Sequence, residues 1–137
     1  MTLPPPRQRL ADCVWMARIV SKARLYKAQS LPEEYASRFC HPTGVDHQFL
    51  AFFGLDRDSL LEAADLDDSA FAVWFLRQPQ ITKDKISDWN RLAVNLGRSG
   101  YPMAERLPIA LSTTYKHLDP TGVDSVFEAI ERDEQSK

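Results

Sequence analysis

The chain has 137 residues, a length typical of one domain rather than two. Hydrophobic residues make up 44% and charged residues 26%, which excludes wholesale disorder, a collagen-like rod and a coiled-coil rod. The 17 Lys and Arg against 19 Asp and Glu leave a net charge of −2, which argues against nucleic-acid binding. Apolar runs are shorter than the roughly 18 residues of a membrane span, and the first residues lack the apolar core of a signal peptide. We therefore predict a cytoplasmic protein that binds neither nucleic acid nor membrane.

The N-terminal third of the chain predicts one long helix and one long connection. Residues 4–6 are all proline, so we expect residues 1–6 to form a flexible lead-in. Residues 8–27 contain neither Gly nor Pro and are rich in helix formers, which predicts a helix over that whole stretch. Residues 29–44 carry Pro32, Pro42 and Gly44 without a clear period, which predicts an irregular connection.

Capping residues followed by apolar residues at helical spacing predict four further helices. Their predicted starts are Thr43, Asp56, Asp67 or Asp68, and Thr82, and their predicted ends are Gly54, Ala64, Pro79 and Gly97. Beyond Gly97, Pro108 would kink or split any helix between Met103 and Leu118. A last amphipathic helix is predicted over residues 123–132, and residues 133–137 are expected to fray.

No stretch alternates polar and apolar residues long enough to predict a strand. The predicted fold is therefore all-α: a compact single domain over residues 1–137, with six or seven short helices around a buried N-terminal helix. The pentapeptide Pro-Thr-Gly-Val-Asp occurs twice, at residues 42–46 and 120–124. An internal duplication would explain the repeat, but similarity fades outside it, which favours one type of helix start used twice.

The first predicted helix carries a narrow row of cations, Arg18 and Lys22, between apolar side chains. Like charges four residues apart repel each other on a helix, and burying them without partners is costly. A negative group must therefore lie opposite them. An internal carboxylate is one possibility, with Asp46, Glu33, Glu34 and Asp88 as candidates. Alternatively, the long side chains of the two cations extend to the surface and keep their charges in water.

The functional alternative is an anion pocket. Arg18 would bind a carboxylate or phosphate through its planar guanidinium, and Lys22 would add a second positive charge. Trp15 and Tyr26, which flank the row on a helical projection, would form its walls.

A second group of candidates lies between residues 35 and 47: Tyr35, Cys40, His41, Asp46 and His47. Their spacing matches no zinc pattern, so we predict neither a metal nor another cofactor. Cys40 and His41 are adjacent, and sequence neighbours rarely meet as nucleophile and base. Tyr35 or His47 is the candidate for proton transfer beside the cationic row.

A third feature is the pair Trp89 and Asn90. Trp89 continues an apolar stripe and is predicted to pack in the core. Asn90 lies beside that stripe, where its amide would hydrogen-bond either a ligand or a loop.

Several of these residues resemble a known family. They are the run VWMARIVSKAR at residues 14–24, the run FLAFFGLD at residues 49–56, and Tyr35, Cys40 and Asp46. The family comprises small bacterial helical domains catalogued as domain of unknown function 5069, and the resemblance covers about residues 5–97. The chain departs from the pattern at His41, where Pro is expected, and beyond Gly97. The resemblance implies a helical domain with no declared activity.

Two functions from different classes remain. The leading hypothesis is binding of an anionic small molecule, with the chain acting as a cofactor-independent isomerase, lyase or cyclase. The alternative is a non-catalytic interaction or accessory domain, in which Arg18 and Lys22 pair internally. Metal chemistry through Cys40, His41 and His47 is the least favoured.

Overall fold

A computed structural model describes residues 2–136 and contains, within them, eight α-helices and no β-strand. The all-α prediction is confirmed. The helices are α1 (Met16–Lys27), α2 (Glu33–Ala36), α3 (Val45–Phe53), α4 (Arg57–Ala63), α5 (Asp68–Leu76), α6 (Lys83–Ala93), α7 (Arg106–Ser112) and α8 (Val126–Gln135). None of these helices has the length and apolar character needed to cross a membrane.

The chain divides into two compact units, Met1–Trp89 and Asn90–Lys137, and α6 crosses the boundary. In the first unit, large aromatic side chains are fully buried: Phe49, Phe53, Phe71, Phe75 and Trp89. Met16, Ile19, Val20 and Ala23 of α1 are buried as well, and they share one face of that helix. In the second unit, the most buried side chains are Ala93, Leu96, Phe127 and Ala129.

The first helix begins at Met16, so the prediction of a helix from residue 8 is wrong. Ala11, Asp12 and Trp15 have φ angles of 51°, 63° and 71°, which no right-handed helix contains. Leu10 and Cys13 form an isolated antiparallel bridge in this stretch. Because none of the left-handed residues is glycine, helix propensity alone does not reveal the break.

The proline-rich lead-in is packed rather than flexible over its described residues. Leu3 is 2% exposed and Pro6 is buried. The carbonyl of Pro6 accepts a hydrogen bond from the Trp15 amide at 2.8 Å. Proline lacks an amide hydrogen but keeps its carbonyl acceptor, so a proline-rich segment can still be held by hydrogen bonds to its carbonyl groups. Met1 lies outside the described residues.

Several predicted helix boundaries are confirmed, but the predicted end at Gly97 is wrong because α6 ends at Ala93. Gly54 ends α3 with a φ of 64°, and Asp56 and Asp67 cap α4 and α5 by accepting from the amides of Ser59 and Ala70. The start of α3 differs from the prediction because Gly44, not Thr43, is its N-cap. The connection over residues 29–44 also holds the one-turn helix α2.

Pro108 lies in the first turn of α7, where a missing amide hydrogen costs nothing. The helix therefore starts just before the proline instead of being split by it. In the same unit, α8 extends to Gln135, into residues predicted to fray, while Lys137 is outside the described residues.

The two copies of the pentapeptide have different conformations. Gly44 has a φ of −103° and Val45 is the first residue of α3. Gly122 has a φ of 78°, and α8 begins only at Val126. The interpretation of one helix start used twice is therefore wrong, because the same five residues adopt two backbone paths.

The N-cap of α8 supplies a testable effect. Ser125 is 1% exposed and its hydroxyl accepts from the Glu128 amide at 3.2 Å. Replacing Ser125 by Ala is expected to lower the free energy of unfolding by about 1 kcal/mol, measured by urea denaturation. Ser87→Ala, at an exposed position of α6, is the control and should change stability by less than about 0.5 kcal/mol. Equal effects in the two variants would contradict the capping role.

Candidate functional site

Lys22 and Asp46 form a buried salt bridge. The Lys22 ammonium lies 2.8 Å from each carboxylate oxygen of Asp46, although the two residues are 24 positions apart. Their side chains are 7% and 1% exposed. Lys22 lies in the middle of α1, and Asp46 lies in the first turn of α3, where negative charge is favoured by the helix dipole. Of the four carboxylates proposed from sequence, the structure brings Asp46 to Lys22.

Asp46 accepts two further hydrogen bonds. The Trp15 indole N–H donates to Oδ1 at 2.9 Å, and the backbone N–H of Cys40 donates to Oδ2 at 3.0 Å. With Lys22 on both oxygens, the carboxylate accepts four contacts, which is about its full capacity. Asp46 thus ties α1, the residue preceding α1, and the connection before α3 to one buried charge.

Burial lowers the pKa of Lys22, because desolvation disfavours the ammonium, and the negative charge of Asp46 acts in the opposite direction. Burial also raises the pKa of the Cys40 thiol to about 11, and the Asp46 charge adds to that rise. Cys40 is therefore a protonated thiol near neutral pH and a poor nucleophile. Burial likewise raises the pKa of Cys13.

Arg18 is 3% exposed and donates a hydrogen bond from Nη1 to the Pro4 carbonyl at 3.1 Å. Its guanidinium carbon lies 5.4 Å from the centre of the Trp15 ring and 5.8 Å from the centre of the Tyr35 ring. The Lys22 ammonium is 5.0 Å from the Trp15 ring. Trp15 therefore contacts both cations with its ring while its N–H donates to Asp46.

The remaining sequence candidates are dispersed. Tyr35 is half-buried and contacts Arg18, whereas His47 is exposed on α3. Tyr26 is 39% exposed and contacts Phe39, with ring centres 5.0 Å apart, and Arg57. Asn90 is half-buried and belongs to the second unit.

His41 is exposed, and its ring Nδ1 lies 2.9 Å from the Thr43 hydroxyl. Within residues 2–136, no group of three or more His, Cys, Asp or Glu side chains is arranged to hold a metal ion.

The second unit contains an open groove of about 680 Å³ that the sequence did not indicate. Leu107, Leu111 and Val123 contribute apolar lining, and Arg98, Tyr101 and Asp124 contribute polar groups. Arg98 Nη2 lies 3.2 Å from Asp124 Oδ1, and their side chains are 44% and 63% exposed. The residues come from three separate parts of the segment after Gly97, where sequence periodicity was weakest.

A family model described as domain of unknown function (DUF5069) matches residues 2–136. The match extends well beyond the residues 5–97 on which the resemblance was based, and it includes the segment after Gly97. No curated protein and no solved structure matches the chain significantly.

Proposed function

We propose for this chain, which belongs to the DUF5069 family, a non-catalytic role as an interaction or accessory domain. In this role Lys22 serves the internal salt bridge rather than a ligand. The observation that carries the proposal is Asp46, whose two oxygens both lie 2.8 Å from the Lys22 ammonium. The position that an anionic ligand would take beside Lys22 is occupied by the protein's own carboxylate.

Electrostatics supports this assignment. A ligand carboxylate about 4 Å from Asp46 would be repelled by about 1 kcal/mol in water and about 4 kcal/mol at the lower effective dielectric of a protein. Displacing Asp46 would instead leave a buried carboxylate without its cation, which costs about 3–5 kcal/mol. An anion would have to overcome one of these costs before gaining any affinity from Lys22.

We also propose that the protein is located in a reducing compartment such as the cytoplasm. Cys13 is a buried free thiol and Cys40 is a half-buried one. Free thiols persist in reducing compartments, whereas oxidising ones favour disulfides.

Binding of an anionic small molecule, with acid–base catalysis, is the second candidate. It is supported by one contact, the 5.8 Å approach of the Arg18 guanidinium to the Tyr35 ring. In that arrangement Arg18 would bind a carboxylate or phosphate and Tyr35 would transfer a proton. The reaction would be of the isomerase, lyase or cyclase class, without a cofactor.

Thermal melts with added anions separate the two candidates. Parent protein is melted in sodium phosphate or sodium malonate from 0 to 20 mM, at ionic strength held constant with sodium chloride. For a non-catalytic domain we expect no saturable change in the melting temperature. The same titrations on Arg18→Gln test the second candidate, and Arg77→Gln, an exposed arginine at the end of α5, is the matched control.

A saturable rise in the melting temperature of the parent and of Arg77→Gln, but not of Arg18→Gln, would overturn the proposal in favour of an anion site. A rise of equal size in all three proteins would show that any anion binding does not involve Arg18 and would leave Arg18 without a ligand role.

A further inference from the structure

The groove of the second unit differs from the Lys22–Asp46 site in the way its charges are held. Arg98 and Asp124 meet through one contact of 3.2 Å, and both side chains are substantially exposed. Exposed ion pairs contribute little to stability, because water competes for both partners. The groove therefore offers a guanidinium whose present partner is easily replaced, whereas Lys22 is held by a buried carboxylate.

The size and lining of the groove indicate a ligand with an apolar part. Its volume of about 680 Å³ lies within the range of roughly 300–1,000 Å³ typical of small-molecule sites. Leu107 and Val123 are buried, at 6% and 8% exposure, and Leu111 is half-buried. Tyr101 is 42% exposed and supplies an aromatic wall. The side chains that remain exposed are those of Tyr101 and Leu111, and a short apolar ligand body packed on the groove would cover them.

We propose that this groove binds an amphipathic monocarboxylate, a molecule with an apolar body and a single carboxylate. The apolar body lies against Leu107, Leu111 and Val123. The carboxylate takes the place of Asp124 on Arg98, where the planar guanidinium can donate two parallel hydrogen bonds. Asp124 turns to solvent, which its exposure permits. This site is in a different unit from Arg18 and Lys22, so the inference goes beyond the proposed function and does not depend on it.

Competition between Asp124 and the ligand gives the proposal its distinguishing test. A carboxylate ligand competes with Asp124, so neutralising Asp124 should strengthen binding. A zwitterionic or cationic ligand would pair with Asp124, so the same change should weaken it. Arg98 and Asp124 variants are thus expected to shift affinity in opposite directions, which a nonspecific apolar surface would not do.

The experiment titrates the full-length protein, labelled with ¹⁵N, with sodium octanoate and follows the amide shifts of residues 95–124. Arg98→Gln is expected to weaken binding by about tenfold, the effect of losing a charge-assisted hydrogen bond. Asp124→Asn is expected to strengthen it by about two- to fivefold. Arg106→Gln removes an exposed arginine of α7 that does not line the groove, and it should leave affinity unchanged.

Octylamine and a tetrapeptide ending in leucine complete the design. Octylamine should bind at least tenfold more weakly than octanoate. If the peptide binds more tightly than octanoate and its C-terminal amide does not, the carboxylate comes from a peptide terminus rather than a free acid.

Three results would overturn the proposal: no octanoate binding up to 10 mM, equal affinity in Arg98→Gln and the parent, or weaker binding in Asp124→Asn. A helical circular dichroism spectrum of each variant, matching that of the parent, excludes unfolding as the cause. None of these results bears on the anion melts that test the proposed function.

Discussion

Replacing Lys22 by Met is expected to lower the free energy of unfolding by about 3–5 kcal/mol. Methionine keeps an apolar stem of similar length but removes the ammonium that contacts both oxygens of Asp46. The Asp46 side chain is 1% exposed, so the variant buries a carboxylate that retains only the N–H donors of Trp15 and Cys40. Urea denaturation of the parent and the variant measures the loss.

Lys27→Met is the matched control on the same helix. Lys27 pairs with Asp65 at 2.7 Å, but those side chains are 31% and 76% exposed. Solvent screening limits such a pair to about 0–1 kcal/mol, so the control should be much less destabilised than Lys22→Met. The double variant Lys22→Met/Asp46→Asn should regain much of the loss, because it buries no uncompensated charge. If Lys22→Met were as stable as the parent, Lys22 would be free for a ligand and the non-catalytic assignment would fail.

Replacing Trp89 by Ala is expected to cost about 3–5 kcal/mol, since it removes a large side chain and leaves a cavity. Trp89 is 0% exposed, and its ring centre lies 5.4 Å from that of Phe49 and 5.9 Å from that of Phe53. Its indole N–H donates to the Val14 carbonyl at 2.9 Å. The residue therefore joins the aromatic core of the first unit to the segment that precedes α1.

Two variants separate the contributions of Trp89. Trp89→Phe keeps an aromatic ring but removes the donor to Val14, so it should lose less stability than Trp89→Ala. Trp74→Ala removes a half-buried tryptophan of α5 and should also cost less, because part of that ring is already exposed to water. A Trp89→Ala variant as stable as the parent would show that Trp89 lines an open space rather than the core.

The sequence alone predicted helix caps and helix ends where one or two adjacent residues determine them. Asp56 and Asp67 cap helices because a short carboxylate directly before a helix reaches the free amides of its first turn. Gly54 ends α3 because a left-handed φ costs glycine nothing. These interactions span three or four residues, so sequence alone predicts them, as it does the all-helical fold.

The need for a negative partner was also determined by the sequence. Two cations one turn apart on an apolar helix need compensation if their charged ends are buried, and side chains that reach solvent were the alternative in sequence. Which group compensates them is a different question. Four carboxylates fitted the requirement equally well in sequence, and only the tertiary fold brings the start of α3 close enough to α1 to place Asp46 2.8 Å from Lys22.

Tertiary structure alone decided three features: the start of α1, the Lys22–Asp46 pairing and the groove. Trp15 takes a φ of 71°, an energetically unfavourable conformation that its long-range hydrogen bonds to Pro6 and Asp46 offset. The groove unites Arg98, Leu107 and Asp124, residues too far apart for any helical or strand period to relate them. The physical reason is common to all three: sequence patterns report contacts made within one or two helical turns, whereas these features depend on contacts between distant segments, which exist only in the folded chain.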